Sequence, residues 1–146
     1  MRKLLILIFS IFFLAACSKK PKVIWEKYDA VKLAEAKSAK MPVVIDFDAD
    51  WCVSCHELDD YTFTDPTVIR ALDAFRRMKV DLTHDGDKEV MKLAERFNIE
   101  GLPTIIFLGA DGEEIKGSRI EGFFPPPQFV ALVQSVVKAK KEPAAK

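Results

Sequence analysis

Residues 46–55 read Asp46-Phe47-Asp48-Ala49-Asp50-Trp51-Cys52-Val53-Ser54-Cys55, and the rest of the chain is best understood outward from them. They begin as the end of a β-branched run, Pro42-Val43-Val44-Ile45-Asp46-Phe47. A continuous apolar run of this kind marks a central strand covered on both faces. After Trp51 the pattern turns helical as far as about Tyr61. Cys52 and Cys55 thus fall at the start of a helix, on one turn, where two thiols can close a small disulfide ring. The first lies over free backbone N–H groups and the positive end of the helix dipole, which favours its thiolate. The second lies one turn inward and keeps its proton longer. That asymmetry suits thiol–disulfide exchange: Cys52 attacks a disulfide, and Cys55 then attacks Cys52 to release the product.

The surrounding pattern alternates strands and helices. Tyr28 to Lys40 is expected to form a helix opened by Asp29, with Val31, Ala34, Ala36 and Ala39 as its apolar or small positions. Asp65-Pro66 is a strong helix start, followed by a buried stripe of Val68, Ile69, Leu72 and Phe75. Arg77 to Leu82 alternates as a strand, and Asp87 opens a helix whose inner face is Val90, Leu93, Ala94 and Phe97. Thr104 to Leu108 is a second buried strand, Gly109 to Gly112 a hairpin turn, and Glu114 to Ile120 the returning strand. Phe129, Leu132, Val133 and Val136 line a last helix. The expected class is α/β, a central mixed sheet flanked by helices.

The chain has 146 residues, one domain's worth. Twenty-two basic side chains balance 22 acidic ones, which argues against a general nucleic-acid binder. With 49% hydrophobic and 30% charged residues the composition is globular. Three cysteines are too few for a disulfide-stapled scaffold, and the odd number leaves one to be placed.

That cysteine follows an apolar leader. Arg2 and Lys3 precede a run from Leu4 to Ala16, about 20 Å as a helix and too short for a ~30 Å hydrocarbon core. Residues 1–16 therefore read as an export signal. Its end, Leu14-Ala15-Ala16-Cys17, resembles the lipobox of bacterial lipoproteins, which implies cleavage before Cys17 and lipid on its sulfur. Ordinary secretion, with Cys17 left as a free or intermolecularly paired thiol, is the alternative. Several acyl chains would anchor the protein to a membrane, at ~0.8 kcal/mol per buried CH₂. Ser18 after the cysteine resembles an outer-membrane address in enterobacteria, and the choice of membrane stays open. Residues 17–22 form the lipidated tether, 23–137 the folded domain and 138–146 a polar tail. Loss of Arg2 and Lys3 with the leader makes the mature chain mildly acidic.

Residues 46–55, taken with Tyr61-Thr62-Phe63-Thr64-Asp65-Pro66 and Gly101-Leu102-Pro103-Thr104-Ile105, resemble the thioredoxin superfamily. Within it they are most similar to the C-terminal periplasmic domain of the thiol:disulfide interchange protein DsbD. The resemblance implies a thioredoxin fold and an extracytoplasmic thiol:disulfide oxidoreductase. Cys52 would be the nucleophile, Cys55 the resolving thiol, and Asp46, whose flanking Ile45 and Phe47 imply burial, an acid taking the proton of Cys55; an aspartate pairing with a lysine at the strand's end is the alternative. Asp59, at i+4 from Cys55, matches an acid that influences the dithiol; an ordinary solvated helix acid is the alternative. Pro103 matches the family's cis-proline, which leaves Leu102 to pair with an extended substrate segment. Trp51 and Gly122 complete the substrate-binding set, with Phe123 and Phe124 either contacts or core.

The resemblance favours the reducing direction, with a membrane electron-donor protein upstream. Downstream it implies protein disulfides, those of other thioredoxin-like proteins or apocytochromes. No cofactor or metal is expected beyond the redox-active Cys52–Cys55 pair. An oxidase or isomerase on the same fold is the alternative. Two residues depart from the family: Asp48 stands where an aromatic is usual, and His56 where a lysine is usual. His56 also completes Cys52-Val53-Ser54-Cys55-His56, the pattern for covalent c-type haem, with His84, Met78 and Met91 as distal candidates. The strand–Trp–dithiol context and Pro103 weigh against that reading.

Overall fold

In the computed structural model, which describes residues 20–84 and 86–141, the β-branched run becomes the middle strand of a five-stranded sheet. In chain order the elements are β1 (Glu26–Lys27), α1 (Ala30–Ser38), β2 (Val43–Asp48), α2 (Val53–Glu57), a π-helical turn (Leu58–Thr62), α3 (Pro66–Leu72), β3 (Arg76–Asp81), α4 (Lys88–Arg96), β4 (Thr104–Leu108), β5 (Ile120–Glu121) and α5 (Pro126–Lys141). The strand order is β1-β3-β2-β4-β5. Strands β1, β3 and β2 run parallel, whereas β4 is antiparallel to β2 and β5 antiparallel to β4. This is the mixed α/β sheet expected from the sequence.

Side chains alternate across a strand, so β2 serves two cores. Val43, Ile45 and Phe47 pack with Met78, Val80, Leu93 and Phe97 beneath α1 and α4. Val44 faces the other way, into a core built from Leu58, Phe63, Val68, Leu72, Phe129 and Val133. Phe63 packs edge-on against Trp25 and Phe129, with ring centroids 5.0 and 5.8 Å apart. Asp46 and Asp48 share the side of Val44. Three helices begin on aspartate caps that satisfy otherwise free N–H groups. Asp29 accepts from Val31 and Lys32, Asp65 from Thr67, and Asp87 from Glu89 and Val90.

The structure differs from the sequence reading at several points. The helix expected through Tyr61 narrows to α2 and continues as the π-helical turn. The returning strand at Glu114 to Ile120 is reduced to an isolated Leu108–Glu114 pairing, then β5. The intervening segment turns at Gly117, whose φ is +74°, and so leaves the ladder. Arg119 holds that connection in place. Its guanidinium donates to both Glu114 carboxylate oxygens at 2.9 and 2.7 Å and to the Phe97 and Asn98 carbonyls. In α1 only Ala36 is buried, with Leu33 partly covered, and Val31 is 67% exposed. Helix α5 continues past Val137 to Lys141. The leader and Cys17 lie outside the described residues.

Candidate active site around the cysteine pair

Strand β2 delivers the chain to the site. Beyond its end the Leu82 N–H bonds the Asp48 carbonyl at 2.8 Å, and the Asp50 N–H bonds Thr83 Oγ1 at 2.9 Å. The turn is therefore tied to the end of β3. Cys52 is the N-cap of α2, where its N–H donates to the Ala49 carbonyl and its Sγ accepts the Cys55 N–H at 3.1 Å. A capping position suits a sulfur that must carry negative charge, because backbone N–H groups already point at it. The two cysteines are joined by a disulfide. They are 5% and 4% exposed, and Trp51 beside them is 67% exposed. The pair thus sits just below the surface, next to a broad aromatic contact.

The loop from Gly101 to Thr104 covers the other side. Leu102 packs against Ala49, Cys52 and Cys55. The Leu102–Pro103 peptide bond is cis. Gly122 donates its N–H to the Pro103 carbonyl at 3.0 Å, and Thr104 Oγ1 donates to the Gly101 carbonyl at 2.7 Å. A cleft of about 280 Å³ opens here, lined by Glu100, Gly101, Leu102, Pro103, Thr104, Glu121 and Gly122. Gly122 has φ of +80°, and a Cβ there would meet nothing within 4 Å. Glycine is required there for the backbone conformation rather than for space. Of the two phenylalanines that follow, Phe123 is exposed and Phe124 is half-buried against the α5 core. Thr62 Oγ1 donates to the Phe124 carbonyl at 2.6 Å, which ties this loop to the π-helical turn.

Beneath α2 lies a charged cluster. Asp46 is buried at 2% exposure and faces Lys79 directly across the parallel β2–β3 register. Lys79 Nζ lies 3.4 Å from Asp46 Oδ2, 3.0 Å from Asp48 Oδ2 and 3.0 Å from both oxygens of Asp59. Asp46 Oδ1 is buried and has no hydrogen-bond partner among the described residues. Burial pushes the Asp46 carboxyl up to about 7; Asp48 and Asp59 push the same way, and Lys79 opposes them. Burial likewise raises Asp48, against the pull of Lys79. For Lys79 burial alone would lower the value, but the three carboxylates outweigh it and hold the ammonium above its usual range.

Asp59 therefore points at Lys79 and joins the acid cluster through it. His56 Nε2 donates to the Asp50 carbonyl at 2.9 Å, which stitches α2 to the turn before it. Of the haem pattern's distal candidates, Met78 is packed wholly in the core. Lys79 was missed in the sequence. A lysine in Arg76-Arg77-Met78-Lys79-Val80-Asp81 reads as the solvent side of an alternating strand, and only the register with Asp46 reveals its role.

A redox cysteine pair capping a helix after the central strand, with a cis-proline loop against it, defines a thioredoxin-like thiol:disulfide oxidoreductase. Residues 29–136 match the thioredoxin-like domain family, and the chain belongs to that family. Its relatives include the thiol:disulfide interchange protein DsbD of Cronobacter sakazakii, 46% identical over 97 residues, or 66% of this chain and 16% of that protein. DsbD of Pseudoalteromonas atlantica is 42% identical over 106 residues, 73% of this chain and 18% of that one. The chain thus spans less than a fifth of the length of these curated relatives. Among solved structures, the oxidised C-terminal domain of Neisseria meningitidis DsbD is similar with a TM-score of 0.64 at 28% identity. That match covers 77% of this chain and 98% of the other. A Thermus thermophilus thioredoxin gives 0.66 at 25% identity, covering 80% and 90%.

Proposed function

We propose that this protein is a lipid-anchored reductase of protein disulfides working outside the cytoplasm. The observation that carries the reading is the Cys52–Cys55 pair held just below the surface between exposed Trp51 and the cis-proline loop. In the reduced protein the Cys52 thiolate attacks one sulfur of a substrate disulfide, and the other substrate sulfur leaves as a thiolate and takes a proton. Cys55 then gives its proton to Asp46 and attacks Cys52 Sγ. The second substrate thiol departs, two electrons have passed to the substrate, and the Cys52–Cys55 disulfide remains. Leu102, Pro103 and Gly122 line the cleft where an extended substrate segment would lie, and exposed Trp51 offers a further contact surface next to Cys52. The relationship to DsbD supports the reducing direction, recharging by a membrane electron donor, and thioredoxin-like proteins or apocytochromes as substrates. The lipobox at Cys17 supports the anchor; no helix among the described residues is long and apolar enough to cross a membrane.

One trapping experiment tests this reading. The full chain carrying Cys55→Ser is expressed in a Gram-negative host, and its envelope is fractionated. Reductant-sensitive mixed disulfides with envelope proteins are expected in the membrane fraction. They should vanish with Cys52→Ser and move to the soluble fraction with Cys17→Ala. Adducts that survive Cys52→Ser would contradict the proposed nucleophile, and membrane retention without Cys17 would contradict the anchor.

A further inference from the structure

Three carboxylates meet one ammonium where β2, β3 and the π-helical turn come together, and they do not share it equally. Lys79 hydrogen-bonds both oxygens of Asp59 at 3.0 Å, and Asp48 lies at the same distance. Asp46 is the most buried of the three and lies farthest, at 3.4 Å. Its second oxygen has no hydrogen-bond partner among the described residues. An ammonium has only three hydrogens, so each contact given to Asp48 or Asp59 is one withheld from Asp46. Asp48 sits at the end of β2 with its side chain 19% exposed, two residues from Asp46 and on the same face of the sheet.

We propose that Asp48 is a positioning residue for the resolving step: it draws the Lys79 ammonium away from Asp46, so that Asp46 stays free to take the proton of Cys55. The inference rests on Asp46 being that proton acceptor. The Cys55 S–H proton passes to the Asp46 carboxylate, the Cys55 sulfur forms a bond to Cys52 Sγ, and the outgoing thiol takes the electrons of the broken mixed disulfide. A tight Lys79–Asp46 pair would make the carboxylate a weaker base and slow that transfer. The charged groups around Asp46 come from three elements: Lys79 from β3, Asp48 from β2 and Asp59 from the π-helical turn. On β4 the residue paired with Asp46 is Ile105, which does not titrate. The charge of Asp48 also raises the Asp46 carboxyl, in the same direction as the geometry.

The resolving step can be isolated with a chromogenic aromatic disulfide, dithiobis(nitrobenzoate). The reduced full chain releases one thionitrobenzoate as Cys52 forms the mixed disulfide, and a second as Cys55 resolves it. The rate of the second release, followed from pH 5 to 9 (about the range of the reagent), should rise through an inflection belonging to Asp46. Asp48→Asn should move that inflection down by about one unit, and Asp48→Glu should restore it to within a few tenths. Asp48→Ser provides the same test without an amide. Asp46→Asn separates the two claims. If Asp46→Asn flattens the profile while Asp48→Asn leaves the inflection in place, the role of Asp48 is overturned and Asp46 remains the acceptor. If the inflection survives in Asp46→Asn, the acceptor itself is wrong, and the proposal falls with it.

Discussion

Burial lifts the Asp46 carboxyl from an ordinary 3.8 to about 7, so the folded protein holds a proton there that the unfolded chain has already lost. The sign of the resulting pH dependence follows from linkage. Between about pH 4 and 7 the folded state binds more protons than the unfolded one, so stability falls as pH rises through that window. Lys79 does not reverse this slope, because its raised value keeps it charged throughout the same window. Asp46→Asn is therefore expected to be more stable than the parent at pH 8, on the order of 2 kcal/mol, with the gap closing toward pH 5. Urea unfolding of the oxidised proteins at both pH values measures it; an equal gap at both would contradict the buried proton. The same residue explains a limit of the sequence reading. The flanking Ile45 and Phe47 marked Asp46 as buried, but its partner lay 33 positions away in a strand whose polar positions looked solvent-facing.

At the scale of elements, legibility follows the strength of local signals. Strands β2 and β4 announce themselves as apolar runs, and α3 and α4 as apolar stripes behind aspartate caps. Strand β1 could not be read, because Glu26 and Lys27 carry no hydrophobic pattern; they join the sheet through backbone pairing with Met78 and Lys79 and a Glu26–Arg76 ion pair. The π-helical turn was equally hidden. Its extra residue per turn leaves Leu58 and Thr62 buried and turns Asp59 toward Lys79, a change in phase that sequence periodicity does not distinguish from an α-helix. The segment before β5 reads as a strand by alternation and departs from one at the positive φ of Gly117. Where caps are legible they should matter. Asp87→Ala removes the acceptor for the Glu89 and Val90 N–H groups and is expected to cost about 1 kcal/mol. Chemical denaturation reads this directly; no change in the midpoint would mean that water replaces the cap.

For the whole molecule, the fold sets a pair of sulfurs just beyond the central strand against the cis-proline loop, and a carboxylate–lysine cluster where β2, β3 and the π-helical turn meet. The dithiol and the cis-proline loop were legible because each is a short motif in an ordered context. The three carboxylates of the acid cluster were named from the sequence, but Lys79, which joins them, was not, because only the β2–β3 register brings it to Asp46. These carboxylates bear on the property that separates a reductase from an oxidase, the relative stability of dithiol and disulfide. For this two-electron couple a difference of about 30 mV is worth about 1.4 kcal/mol, so modest electrostatic changes decide the direction. The most direct test is the equilibrium of the Cys52–Cys55 pair with glutathione buffers of known ratio. A reductase predicts a potential on the thioredoxin side, below about −200 mV; a value near about −120 mV, that of DsbA, would contradict the reducing role.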